Sequence, residues 1–234
     1  MNPILLEVIG TTVQEVKEAA LHGADRIELI TAFSEGGLTP SLGLVEEAIA
    51  SVSIPVNVMV RPHSRSFVYD ADDRATIVRD IRLLRETGAN AIVFGALTPE
   101  GKVDVDLLER VLEAAGDLPL TFHRAIDKSA DLLQALDVLL VYPQVTTVLT
   151  SGGQPSALQG LACIQSMVRQ AAGSNLGILA GSGLTAETVV DFTREAGVKQ
   201  VHFGSNVRIG GHALAPIDPE RLRALRSSLN TITE

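Results

Sequence analysis

Eight short apolar runs recur along the 234 residues, at 4–9, 26–30, 56–60, 91–94, 118–122, 145–149, 177–180 and 200–203, and a stretch with helical periodicity follows each one. Spread over the chain, that is about 29 residues per strand and helix, the spacing of a (β/α)8 barrel, which usually takes roughly 250 residues. The runs end on Gly, Arg, His, Thr or Ser, or carry a lone charge within them. In a barrel of parallel strands, reactive side chains gather where strands end, so the layout also says where chemistry can sit.

An open, doubly wound sheet alternates strands and helices in the same way. Charges inside the runs favour the barrel. Glu7 stands between Leu6 and Val8, and Glu28 between Ile27 and Leu29. A strand covered on both faces of an open sheet rarely tolerates an unpaired carboxylate, whereas a barrel lumen near its mouth offers partners. Side chains alternate along a strand, so Glu7 shares a face with Ile9, Glu28 with Ile30, and Asn57 with Met59 and Arg61. With the first three strands adjacent, two carboxylates and a guanidinium converge. The expected fold is therefore an α/β, single-domain (β/α)8 barrel over residues 1–234, without a linker or low-complexity tract.

Local signals delimit the helices. Thr12 and Glu15 have capping-box spacing, and Gly23 follows the end of the first helix. Asp104 heads the helix that reaches Ala115, Thr185 the one that reaches Ala196, and Asp218 with Pro219 the one that reaches Leu229, where Leu222, Leu225 and Leu229 form one face. Gly88 and Gly197, like Gly23, stand where a helix gives way to a strand and a positive φ is needed.

The formal net charge of −9 is spread along helix-like faces, and no basic cluster interleaved with aromatics occurs. A nucleic-acid backbone is thus a poor partner, and a small anionic molecule or a metal ion is the expected one. The single cysteine, Cys163, cannot form an internal disulfide and suits a reducing compartment. No basic leader precedes the first run, and no apolar run approaches about 18 residues, so a cytoplasmic location without membrane insertion is expected.

The most specific cluster is Thr121-Phe122-His123-Arg124-Ala125-Ile126-Asp127, at the end of the fifth run. His123 is the leading catalytic candidate, because an imidazole exchanges a proton near neutral pH. The plainer alternative is a core histidine bonded to Glu28 or Asp127. Arg124 and Asp127, three residues apart, are placed to bridge one another beside the mouth. Arg61, just before Pro62, presents a planar cation suited to a carboxylate or phosphate, or else pairs with Glu7 or Glu28. The segment 63–70, with Phe67 and Tyr69, is the longest loop and is expected to cover the mouth.

Glycine-rich turns follow the last three runs: Thr150-Ser151-Gly152-Gly153, Gly181-Ser182-Gly183 and Gly204-Ser205. Loops after strands seven and eight of such barrels often form a phosphate site. Gly181, Gly183, Gly204 and Ser205 are therefore candidate ligand-binding residues, together with Arg124, Asp127, Ser151 and Gly152. The alternative is glycine required only by tight turns. Lys102, Lys128 and Lys199 lie in turn-like contexts, which disfavours Schiff-base chemistry, and no P-loop, nucleophile elbow, Cys-x-x-Cys or His-Glu-x-x-His pattern occurs.

Six stretches carry a family resemblance: Gly23-Ala24-Asp25-Arg26-Ile27-Glu28-Leu29, Glu35-Gly36-Gly37-Leu38-Thr39-Pro40-Ser41, Met59-Val60-Arg61-Pro62, Val93-Phe94-Gly95-Ala96-Leu97, Thr121-Phe122-His123-Arg124-Ala125 and Leu149-Thr150-Ser151-Gly152-Gly153. In this order they resemble the copper homeostasis protein CutC family, over residues from about 6 to 205. The resemblance implies a cytoplasmic barrel, often a homodimer, associated with copper homeostasis, and copper is the only cofactor or cargo it brings. Family members commonly carry cysteines two residues after the first- and second-strand glutamates, where this chain has Ile9 and Ile30. Cuprous ion prefers sulfur ligands, so direct copper binding is not expected, and Met59 and His123 remain as an isolated mixed pair. No metal ligands are assigned. At 63–66 the chain reads His-Ser-Arg-Ser where relatives usually have Arg-Gly-Gly.

Two functions emerge. The resemblance implies a role in metal homeostasis without catalysis. Residue positions point instead to an enzyme of isomerase, aldolase or lyase type acting on a small anion, phosphorylated or not, at the C-terminal mouth. There His123 and Glu28 or Glu7 share acid and base duties, and Arg61 binds the anion. That reading requires Glu7, Glu28, Arg61 and His123 in one water-accessible basin.

Overall fold

Every apolar run forms a strand in the computed structural model, which describes residues 4–232. The strands are β1 (Leu5–Gly10), β2 (Arg26–Leu29), β3 (Val56–Met59), β4 (Ala91–Phe94), β5 (Leu120–Phe122), β6 (Val145–Thr150), β7 (Gly177–Gly181) and β8 (Gln200–Phe203). They pair in parallel in chain order, and β8 closes on β1 through the register Glu7↔His202. The helices are α1 (Val13–Leu21), α2 (Leu42–Ala50), α3 (Ala71–Leu84), α4 (Val105–Ala115), α5 (Leu132–Leu140), α6 (Leu161–Gln170), α7 (Val189–Ala196) and α8 (Pro219–Asn230). This is the (β/α)8 barrel read from the spacing. β5 starts two residues later than its apolar run, at the residue after Pro119, which has no N–H for the ladder.

Most caps follow local chemistry. Asp104 accepts from the Leu107 amide at 3.1 Å, and Asp218 accepts from Glu220 and Arg221 ahead of Pro219. Gly23, Gly88 and Gly197 all have positive φ. Two expectations need correction. Thr12 does cap α1, but Glu15 completes no capping box: its carboxylate accepts from Thr11 and pairs with the buried Arg208 at 2.6 Å. Nor does Thr185 start α7. The Thr188 hydroxyl accepts from the Thr185 amide at 3.0 Å, folding 185–188 into a turn, and the helix begins at Val189.

Strand alternation divides the interior in two. Leu6, Val8, Ile27, Leu29, Val58 and their counterparts join the helices in one large core, whereas Ile9, Ile30, Met59 and Val93 form a separate small cluster inside the lumen, against Phe33. Cys163 packs against the large core from α6. No described helix is long and apolar enough to cross a membrane.

Candidate active site

The lumen holds two polar tiers. In the lower one, Arg26 donates from Nε to Glu7 Oε2 at 2.5 Å and from its NH2 group to Gln200 Oε1 at 2.9 Å. Asn57 donates to the same Glu7 oxygen at 3.4 Å and accepts from Asn90 at 2.7 Å. His202 Nδ1 donates to Glu7 Oε1 at 2.8 Å, and its Nε2 lies 3.8 Å from Glu28 Oε2. An imidazole is thus suspended between two carboxylates, only one of which has a guanidinium.

This asymmetry separates the two acids. Burial would raise Glu7, but the Arg26 and His202 charges outweigh it and hold Glu7 below the usual carboxylate value. Burial pushes Glu28 up to about 7, against the pull of His202 and with help from the Glu7 charge, and its Oε1 has no hydrogen-bond partner among the described residues. Burial would depress His202, yet Glu28 and Glu7 raise it above its ordinary value.

Above this tier a cavity of about 250 Å³ opens at the C-terminal mouth. Glu28 and His202 reach it from below, and Arg61, His123 and Arg124 line its wall. The Ala125 amide donates to His123 Nδ1 at 3.1 Å, so the neutral ring carries its proton on Nε2, which is buried and has no acceptor among the described residues. Burial and the nearby Arg61 charge hold this imidazole down at about 3. His123 is therefore a neutral donor at physiological pH. The chain makes room for it at Gly95, where a Cβ would stand 2.5 Å from Nδ1.

Arg61 is 7% exposed and makes no ion pair among the described residues. Its NH1 faces the carbonyls of Glu35, Gly36 and Gly37 at 3.3–3.4 Å, its NH2 donates to Ser64 O at 3.2 Å, and the guanidinium lies 4.7 Å from the Phe67 ring centre. Pairing with Glu7 or Glu28 is thereby replaced by a clamp on two rim loops, leaving the positive charge uncompensated. Phe67 from 63–70 does lie over the mouth, while Tyr69 is buried beneath it.

The anticipated residues thus divide. Glu28, Arg61, His123, Arg124, Gly183, Gly204 and Ser205 all face the cavity. Glu7 does not: it lies one tier deeper, saturated by Arg26, His202 and Asn57, so the four-residue basin contains three of its members. Arg124 keeps to the cavity wall while pairing with Asp127 at 2.7 Å, and Asp127, outside the cavity, also accepts from Thr150, Ser151 and Gly153. Gly152 belongs to the same turn, where a Cβ would meet Gly160 O at 2.5 Å, and Gly181 gives space to the His202 side chain. His123 bonds neither Glu28 nor Asp127. No lysine lines the cavity among the described residues.

His202 and Arg26 escaped the sequence reading. The available signal was Gln200 and His202 alternating in an otherwise apolar run, which places both in the lumen. Donor atoms of Glu7, Glu28 and His202 lie within 4.8 Å of one another, close enough to share a cation, but oxygen and imidazole suit a divalent ion rather than cuprous copper.

Comparison with known proteins agrees over most of the chain. The model of the CutC family matches residues 4–207. The family protein CutC of Salmonella enteritidis is 41% identical over 203 residues, covering 87% of this chain and 80% of that one, and its counterpart in Salmonella typhimurium is 40% identical over the same span. A CutC structure from Streptococcus agalactiae, named for copper homeostasis, superposes with a TM-score of 0.80 at 30% identity over 85% of this chain and 97% of its own. Phosphoribosylanthranilate isomerase of Pyrococcus furiosus, at 15% identity and a TM-score of 0.60, shares the fold alone.

Proposed function

This chain belongs to the CutC family, and from that premise we propose that its barrel mouth catalyses proton transfer on a small anionic metabolite bearing a carbonyl, as an isomerase, aldolase or lyase would. One observation carries the reading: a carboxyl poised at about 7 and a neutral imidazole whose buried Nε2 has no acceptor among the described residues both belong to the lining of one cavity. His123 donates to the carbonyl oxygen. Glu28, as carboxylate, removes a proton from the adjacent carbon, negative charge builds on the oxygen, and His123 with the Arg61 charge stabilises it. Glu28 then returns the proton to a neighbouring atom. His202, held by Glu7, keeps Glu28 in place and tunes its acidity.

Solvent exchange tests this. Small carbonyl metabolites incubated with the protein in D2O should exchange their α-protons, followed by 1H NMR. Glu28→Gln should cost about 10²–10⁴ in rate and His123→Asn about 10²–10³. Absence of exchange in any carbonyl anion, or exchange indifferent to both substitutions, counts against the proposal.

Copper handling, which the name of the Streptococcus agalactiae relative suggests, fits these residues poorly. Ile9 and Ile30 share the small lumen cluster, the single thioether there is Met59, and Cys163 lies on α6 outside the barrel. Cuprous titration of the wild type under anaerobic conditions should show only weak binding, and the Ile9→Cys/Ile30→Cys variant should bind far more tightly, because the pair would supply two thiolates within one lumen cluster. Tight wild-type binding would restore the copper role.

A further inference from the structure

An outer groove of about 710 Å³ adjoins the cavity on the β2–β5 side, and Gly36, Arg61, Phe67 and Arg124 line both. Four cations line it, Arg61, Arg65, Arg124 and Lys128, against two carboxylates, Glu35 and Asp127. The surplus of two positive charges stands out on a chain whose net charge is −9. Among the described residues neither Arg61 nor Lys128 forms an ion pair, and Arg65 is 73% exposed with only a 3.8 Å approach to Asp73. By contrast, Ser182, Gly183, Leu184, Gly204, Ser205 and Asn206 bring no cation to the opposite wall, the usual place for phosphate in such barrels.

We infer that this groove is the anion subsite, and that it takes the phosphoryl group of a phosphomonoester whose reacting part enters the cavity. The inference rests on the mouth being a small-molecule site. A phosphomonoester carries about −1.5 to −2 charge near pH 7 and so matches the surplus, and its three oxygens suit donors that approach from several sides, as the side chains of Arg65 and Lys128 can. The shared wall at Arg61 and Arg124 joins the two compartments, so one ligand spans both.

The test uses the 15N-labelled full-length protein, titrated separately with inorganic phosphate and glycerol 3-phosphate at constant ionic strength. Both should shift amides at 64–67, at 98, 100 and 101, and at Arg124–Lys128, and the monoester should bind more tightly and also move residues of the cavity. Arg65→Gln/Lys128→Gln, two exposed changes outside the acid–base machinery, should weaken both ligands at least about tenfold without altering the remaining spectrum. Shifts confined to 182–184 and 204–206, an unchanged Kd in the double variant, or no saturable binding would overturn the groove. A monoester no tighter than phosphate that leaves the cavity amides unmoved would overturn its link to the cavity. Phosphate binding with no solvent exchange in any carbonyl refutes only the acid–base reading, whereas exchange that persists without binding in the groove refutes only this inference.

Discussion

Replacing Arg26 with alanine is expected to lower the stability of the barrel by about 3–5 kcal/mol, the cost of stripping one partner from a buried ion pair. Glu7 is 1% exposed, and Arg26 supplies its shortest hydrogen bond. Without the guanidinium, the Glu7 carboxylate must stay charged in the lumen with only Asn57 and His202, or take up a proton. The companion variant Glu7→Gln/Arg26→Met removes both charges and keeps an acceptor for His202, and it should lose distinctly less than the single change. Urea unfolding near neutral pH reads the difference. A loss under about 1 kcal/mol for Arg26→Ala, or a double variant worse than the single, would show that the lower tier contributes little.

Glu28→Gln is expected to stabilise the protein at high pH. The Glu28 carboxyl moves from an ordinary 4.5 to about 7 in the folded state, so between those values the fold retains a proton that the unfolded chain has released. Stability contributed by that proton is present below the lower value and is lost as pH rises towards the upper one, about 3 kcal/mol in all. His202 adds a slope of the same sign, because a raised imidazole stabilises the fold while protonated and ceases to do so as pH climbs through its folded value. Glutamine has no proton to lose. The variant and the wild type should therefore unfold similarly near pH 4.5 and diverge by up to about 3 kcal/mol, in favour of the variant, near pH 8. Parallel stability curves across that range would mean that Glu28 is not a buried acid, and the proposed proton transfer would lose its agent.

Such a gain would also fit a site that trades stability for reactivity. Backbone packing of β2 does not require a carboxylate at 28: Ile9 is its neighbour in register and the apolar Ile30 and Met59 line the same cavity, so what the carboxylate adds there is its charge beside His202. A buried acid kept near neutrality is costly to the fold and useful to a proton-transfer reaction.

What the amino-acid order determined by itself was local and periodic. Apolar runs spaced one strand–helix unit apart, caps at Asp104 and Asp218, glycines at helix ends and the three-residue spacing of Arg124 and Asp127 were all legible, because each depends on residues a few positions apart. Strand alternation likewise turned Glu28 and His123 inward at the correct end. Tertiary structure alone decided what those groups became. Closing β8 onto β1 sets His202 against Glu7 across 195 residues, and a one-residue change of register would have turned it towards the helices. Arg61 met loop carbonyls instead of a carboxylate, Glu7 sank beneath the cavity, and an amide two residues along fixed the His123 tautomer. Side-chain periodicity is a property of the chain, but acidity and hydrogen-bond partnership are sums over charges and desolvation at distances of a few ångströms, and only the closed barrel sets those distances.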